Sequence, residues 1–106
     1  MTVVDLNQQE KREIVPGYLA RFVHSEGMTV AFWEVTAGSE LPEHSHPHQQ
    51  IAVVLEGEFE MTLDGKTTIL RPGLTAVIRG GVPHRGRALT DCRLLDAFHP
   101  VREEYR

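Results

Sequence analysis

The feature that most constrains this chain is what its apolar residues fail to do: nowhere do they recur with a helical period over the length of a helix. Short runs rich in β-branched and aromatic residues recur instead, as YLARFVHS, MTVAFWEV, IAVVLEG, EFEMTL, KTTIL, TAVIR and CRLLDAF. The breaks between them are EGM, TAGSELP, LDGK, RPG, RGGVP and ALTD, most of which carry the Gly, Pro or Asp that turns demand. Asp64-Gly65, between EFEMTL and KTTIL, is a two-residue hairpin signal, because Gly tolerates the positive φ of a tight turn. Short strands spaced by roughly 8–12 residues predict an all-β sandwich or barrel. The tail PVREEYR reads as a turn of helix or an extended segment. With no repeat and no low-complexity segment, residues 1–106 read as one domain with one core.

Charge and cysteine usage narrow the function classes. A formal net charge of −4 with scattered arginines argues against nucleic acid or an anionic membrane as the main partner. Cys92 is the only cysteine, so it reads as a small core residue in a reducing, cytoplasmic protein. The start, MTVVDLNQQEKREI, lacks the apolar stretch of a signal peptide, and no run has the length of a membrane-spanning helix.

Three of the six histidines fall in PEHSHPHQQ, Pro42 to Gln50. On a strand, His44 and His46 would share one face and reach one metal from the same side. A bend near Pro47 could return Gln50 to the same point, and His84, after the glycine-rich GGVPH, could add a fourth ligand from a neighbouring strand. His48 has the same parity, but Pro47 interrupts the strand before it, so it reads as a ligand or as a pocket-rim residue. Glu43 falls on the opposite face and is not counted. His24 and His99 read as surface or hydrogen-bonded residues.

The run CRLLDAFHPVREEYR contains a second group. Leu94, Asp96 and Phe98 share one strand face; Leu95, Ala97 and His99 share the other. A carboxylate between Leu and Phe on an apolar face either pairs with a cation or does chemistry. Arg102 is the candidate partner for Asp96, or a clamp for a substrate carboxylate. Phe98 is core or pocket wall.

On these residues the chain resembles the cupin superfamily. GSELPEHSHPHQQIAVVLEG, Gly38 to Gly57, resembles the first cupin motif, and GLTAVIRGGVPH, Gly73 to His84, the second, which extends to about Ala88. Arg79 stands where the second motif has Pro, Ala88 where it ends in Asn, and Gln50 where the first motif has Glu. The resemblance implies a double-stranded β-helix, or jelly-roll barrel, with a metal in one mouth held by His44, His46, Gln50 and His84. DAFHPVREEY, Asp96 to Tyr105, further resembles the C-terminal signature of the uronate-linearising cupins through Asp96, Phe98, Pro100 and Arg102, although their usual spacing from the second His to Gln is one residue longer.

The expected function is that of a metal-dependent enzyme. The resemblance implies opening of a 4,5-unsaturated monouronate, from pectin or alginate breakdown, to a linear keto acid. Asp96 would move the proton, Arg102 would hold the carboxylate, and Phe98 would shape the pocket; Arg79 and Arg85 are weaker candidate anion contacts. Three neutral imidazoles and a neutral amide leave an ion its full +2 charge, a Lewis acid suited to an anionic, sugar-like substrate. Zn, Ni, Mn and Fe(II) all accept such ligands. The alternatives are a metal-dependent dioxygenase and a non-catalytic sugar- or small-molecule-binding cupin. A homodimer is expected, because Phe32 and Trp33 point to opposite faces of VAFWEV and one face is left for a partner.

Overall fold

The computed structural model describes residues 2–106. These form ten strands: β1 (Arg12–Val15), β2 (Tyr18–His24), β3 (Thr29–Val35), β4 (Glu40–His44), β5 (Gln49–Glu56), β6 (Phe59–Leu63), β7 (Lys66–Leu70), β8 (Thr75–Ile78), β9 (His84–Ala88) and β10 (Cys92–His99). They make two antiparallel sheets in a jelly-roll arrangement, ordered β1-β2-β3-β10-β5-β8 and β4-β9-β6-β7. The tail ends in a single 3-10 turn, Glu103–Tyr105. Asp64 and Gly65 both take positive φ, 50° and 80°, as the two-residue turn between β6 and β7 requires. No helix among the described residues is long and apolar enough to cross a membrane.

The strands β1, β4 and β9 are not visible in the apolar pattern, each for a physical reason. β1 is an edge strand of only four residues, REIV, two of them charged. β4 starts within TAGSELP, which reads as a break, and runs on to His44; the structure accommodates Pro42 at a β-bulge. β9 is HRGRA, whose buried positions are His84, Gly86 and Ala88, none of them a large apolar residue. Gly86 is required there: a Cβ on it would lie 2.3 Å from the Phe59 ring, which packs across the strand.

The inner face of the larger sheet is not filled evenly. Tyr18, Phe22, Trp33, Val54 and Phe98 are buried in the core, and Cys92 joins them as expected. One cross-strand row, however, runs Phe22, Ala31, Asp96, Ala52, Ala76. Alanines on both sides of Asp96 remove the volume that larger side chains would occupy, and a cavity remains in front of the carboxyl group. The outer face of the same sheet carries the row Val23, Val30, Ala97, Ile51, Val77, apolar across five strands. Ile51 and Val77 are 46% and 71% exposed.

Candidate metal centre

His44 ends β4 directly opposite His84, the first residue of β9. Plain alternation would turn Leu41 and His44, three residues apart, to opposite faces. The bulge sets Pro42 and Glu43 against Arg85 alone, which resets the alternation, so Leu41 and His44 both line the cavity. Glu43 is exposed. The sequence pattern puts His44 and His46 on one strand; the structure instead ends β4 at His44 and carries His46 in the following bend. The bend brings the rings together all the same, with centroids 5.8 Å apart for His44 and His46, 4.3 Å for His44 and His84, and 5.0 Å for His46 and His84.

The bend is held by the loop between β8 and β9. The Gly81 N–H donates to the His46 carbonyl at 2.8 Å. A Cβ on Gly80 would lie 2.3 Å from the Pro47 carbonyl oxygen, so only glycine permits this approach of two backbones. Gly80→Ala is therefore expected to weaken metal binding by about 10–100-fold, as losses of outer support for a ligating histidine do. Competition with a chromophoric chelator measures it, and an unchanged affinity refutes the role given to the loop.

Three hydrogen bonds set the histidine tautomers. His44 Nδ1 donates to Pro42 O at 2.9 Å, His46 Nδ1 to His48 O at 3.0 Å, and His84 Nδ1 to Val82 O at 2.9 Å. Carbonyls only accept, so each Nδ1 carries the proton and each Nε2 presents a lone pair. One ring nitrogen from each histidine lies within 4.8 Å of the other two. The His84 Nε2 is buried with no partner. The His46 Nε2 faces Gln50 Oε1 at 3.1 Å, and Gln50 lies near enough to the Asp96 carboxyl to act on it. With Nδ1 protonated, Nε2 presents its lone pair to the amide oxygen, so two acceptors oppose each other. A cation among these atoms would relieve both the opposed acceptors and the orphaned nitrogen. The donor set, imidazole nitrogens with an amide oxygen, fits a divalent transition metal.

Burial keeps the imidazoles ready for such an ion. It pushes His46 down to about 4, with the charges of Arg102 and His84 acting in the same direction and the contacts with Gln50 and His48 opposing. His84 is lowered as well, chiefly by burial. His48 is not in the three-histidine group and serves it through its backbone carbonyl. His24 is hydrogen-bonded at both ring nitrogens, and His99 is exposed.

Asp96, Phe98 and Arg102 line the same cavity as His44, His84 and Gln50. Asp96 keeps some exposure through the cavity but is surrounded by protein. Burial pushes its carboxyl up to about 6, against the pull of Gln50, the Trp33 indole and Arg102. Trp33 Nε1 points its hydrogen at no well-aligned acceptor, although it lies near enough to Asp96 to be felt. Arg102 is 8% exposed, with its guanidinium between the rings of Phe98 and Tyr105, at 4.7 and 4.6 Å from their centroids. Its ion pair is with Glu104, Nε to Oε1 at 2.8 Å, rather than with Asp96. Arg79 and Arg85 are exposed; Arg85 borders the cavity but sits on the strand face opposite His84. Trp33, Glu104 and Tyr105 are site residues that the sequence pattern does not single out.

A jelly-roll barrel with three converging, Nδ1-protonated histidines in one mouth defines a class: small β-barrel proteins built around a divalent-metal site. The chain belongs to the cupin family; the cupin-domain model matches residues 31–98, more than half of it. Among solved structures it is similar to KdgF from Halomonas sp., at 25% identity and a TM-score of 0.93, covering 100% of this chain and 99% of that one. It is also similar to an RmlC-like cupin from Shewanella frigidimarina, at 28% identity and TM-score 0.89, covering 94% and 91%. Salicylate 1,2-dioxygenase from Pseudoaminobacter salicylatoxidans shares the fold at 22% identity and TM-score 0.77, over 81% of this chain and 26% of that one. No curated protein sequence matches the chain.

Proposed function

We propose that this metal-dependent cupin opens 4,5-unsaturated monouronates to linear keto acids. The observation that carries the reading is one cavity lined by a protonatable carboxyl, a guanidinium, the Gln50 amide and two members, His44 and His84, of a three-histidine group that contains no carboxylate. The C-terminal pattern Asp96, Phe98, Pro100, Arg102 and the similarity to KdgF along the whole chain support the same substrate class. His44, His46, Gln50 and His84 would hold the ion, which when bound supplies positive charge for an oxyanion. Arg102, whose Nε is committed to Glu104, keeps its two Nη nitrogens for the sugar carboxylate. Asp96 takes the proton of the ring-opening hydroxyl and returns one to the C4 carbon of the enol, so the reaction is an isomerisation with no co-reactant. Phe98, Trp33 and Tyr105 wall the cavity and keep bulk water from the enol.

The test is direct. The conjugated double bond of the unsaturated uronate absorbs in the ultraviolet, and metal-loaded protein is expected to remove that absorbance while chelated protein does not. Persistent absorbance with loaded protein refutes the reading. Oxygen uptake with Fe(II) would indicate dioxygenase chemistry instead, and ligand-induced stabilisation without product would indicate a binding protein.

The outer apolar row of the larger sheet fits a second copy of the chain. Its rim carries both signs, with Lys11–Glu34 and Arg93–Glu56 pairs, so two such faces meet without a net repulsive field. A dimeric mass at micromolar concentration is expected for the native chain, and a monomeric one for Val77→Glu. A monomeric native protein rules the interface out. The lone, buried Cys92 suits a reducing compartment such as the cytoplasm.

A further inference from the structure

Residues 100–106 leave β10 and lie against the cavity, which Arg102 and Tyr105 both line. They are tied to the opposite end of the chain by a set of hydrogen bonds away from the histidine centre. Arg12 Nη1 donates to the Tyr105 carbonyl at 2.8 Å, and His24 Nε2 contacts the same oxygen at 3.1 Å. His24 Nδ1 lies 2.9 Å from Thr29 Oγ1, and the Arg102 N–H donates to that hydroxyl, also at 2.9 Å. The proton positions follow by elimination. The Tyr105 carbonyl only accepts, so Nε2 of a neutral His24 carries the hydrogen and Nδ1 presents its lone pair. Thr29 then gives its one hydroxyl hydrogen to Nδ1 and accepts from Arg102. The result is a chain of bonds running one way, from the Arg102 backbone through Thr29 and His24 to the Tyr105 backbone.

The two ends of that chain are the residues that frame the pocket's cationic wall. Tyr105 stacks on Phe22, with centroids 4.4 Å apart, and the Arg102 guanidinium lies between Tyr105 and Phe98. Thr29 is fully buried, paired across the strand with His24 on one side and with Phe98 on the other. A threonine at that depth packs no better than valine; what it adds is the hydroxyl.

We infer that His24 and Thr29 are positioning residues: they fasten the C-terminal segment so that the Nη edge of Arg102 faces a carboxylate bound in the cavity. The carboxylate's identity as a uronate rests on the function proposed above, while the fastening itself does not. Because Arg102 would hold the carboxylate equally in ground and transition states, loosening it should raise KM and leave kcat near its native value. A general loss of folded protein would lower apparent kcat and leave KM alone.

Thr29→Val in the full, metal-loaded chain tests this. It strands a buried Arg102 N–H, so exchange of the Arg102 and Tyr105 amides should speed up by about tenfold or more. KM for unsaturated uronate should rise by about tenfold with kcat within about twofold. Thr29→Ser, which keeps the hydroxyl, should restore both. Should Val at this site prevent folding, His24→Ala, at a half-buried position, cuts the same chain and should give the same pair of changes. Unaltered amide exchange in the cutting variant overturns the inference, and so does faster exchange with unaltered KM. If the native protein turns over no uronate, the functional reading fails, and amide exchange alone decides whether the segment is fastened through Thr29 and His24.

Discussion

Asp96→Asn is expected to retain the metal and lose turnover by about 10²–10⁴-fold, the usual worth of a positioned acid–base group. The substitution keeps shape and hydrogen-bonding reach while removing the exchangeable proton. Metal content by mass spectrometry and rate by ultraviolet absorbance are the two measurements; undiminished turnover would remove Asp96 from the mechanism. The same variant should be more stable than the native chain once both are stripped of metal. A carboxyl whose folded-state pKa is raised, here to about 6, binds its proton more tightly in the folded state than in the unfolded one. Its contribution to stability is therefore complete below the ordinary carboxylate range and is lost as pH rises through about 6. At pH 8 the native fold carries an ionised, poorly solvated Asp96, and Asn removes that burden, worth on the order of 2 kcal/mol. Chelated Asp96→Asn should thus melt higher than chelated native protein at pH 8, by a margin that shrinks at pH 5. A margin that grows toward low pH would show the carboxyl to be stabilised as the anion, contrary to its surroundings. A group that costs stability where it sits and that the proposed reaction requires would mark a site that trades one for the other.

Legibility in the sequence followed the range over which residues act. Strands built on continuous runs of apolar residues, such as β3 (TVAFWEV) and β5 (QQIAVVLE), are visible in a window of eight residues, and so is the Asp64-Gly65 turn. β9 is not, because its inward positions are His84, Gly86 and Ala88, chosen for the site and for Phe59 rather than for hydrophobicity. The convergence of His44, His46 and His84 could be anticipated from spacing and family resemblance, although the local mechanism differs: a bulge turns His44 inward, and a bend outside the strand supplies His46. The hollow in front of Asp96 could not be anticipated, because it is made by Ala31 and Ala52, which become its neighbours only when β3 and β5 flank β10. The pairing of Arg102 with Glu104 rather than Asp96 was equally hidden. Both carboxylates are near in sequence, and the choice depends on the turn that follows Pro100. His24 reads as an ordinary hydrogen-bonded histidine, which it is. That its partner is the Tyr105 carbonyl, at the other end of the chain, is a property of the closed barrel.

His84→Ala should weaken metal binding at least roughly 100-fold, beyond what loss of an outer partner usually costs. Its Nε2 is buried and without a partner and so has no other use in the fold. The Nδ1 bond to Val82 fixes the ring's orientation, and burial keeps it neutral. Such a nitrogen lowers the stability of the metal-free protein and recovers it on binding. Coupled binding makes the difference measurable without any substrate. Free metal at one hundred times the native dissociation constant stabilises the native fold by about 2.7 kcal/mol, whereas a variant bound one-hundredfold more weakly gains about 0.4 kcal/mol at the same concentration. The native melting temperature should therefore rise clearly on adding metal, and that of His84→Ala should barely move. An equal rise in the two would mean that His84 does not hold the ion, and that the convergence of imidazoles on this mouth of the barrel serves some purpose other than coordination.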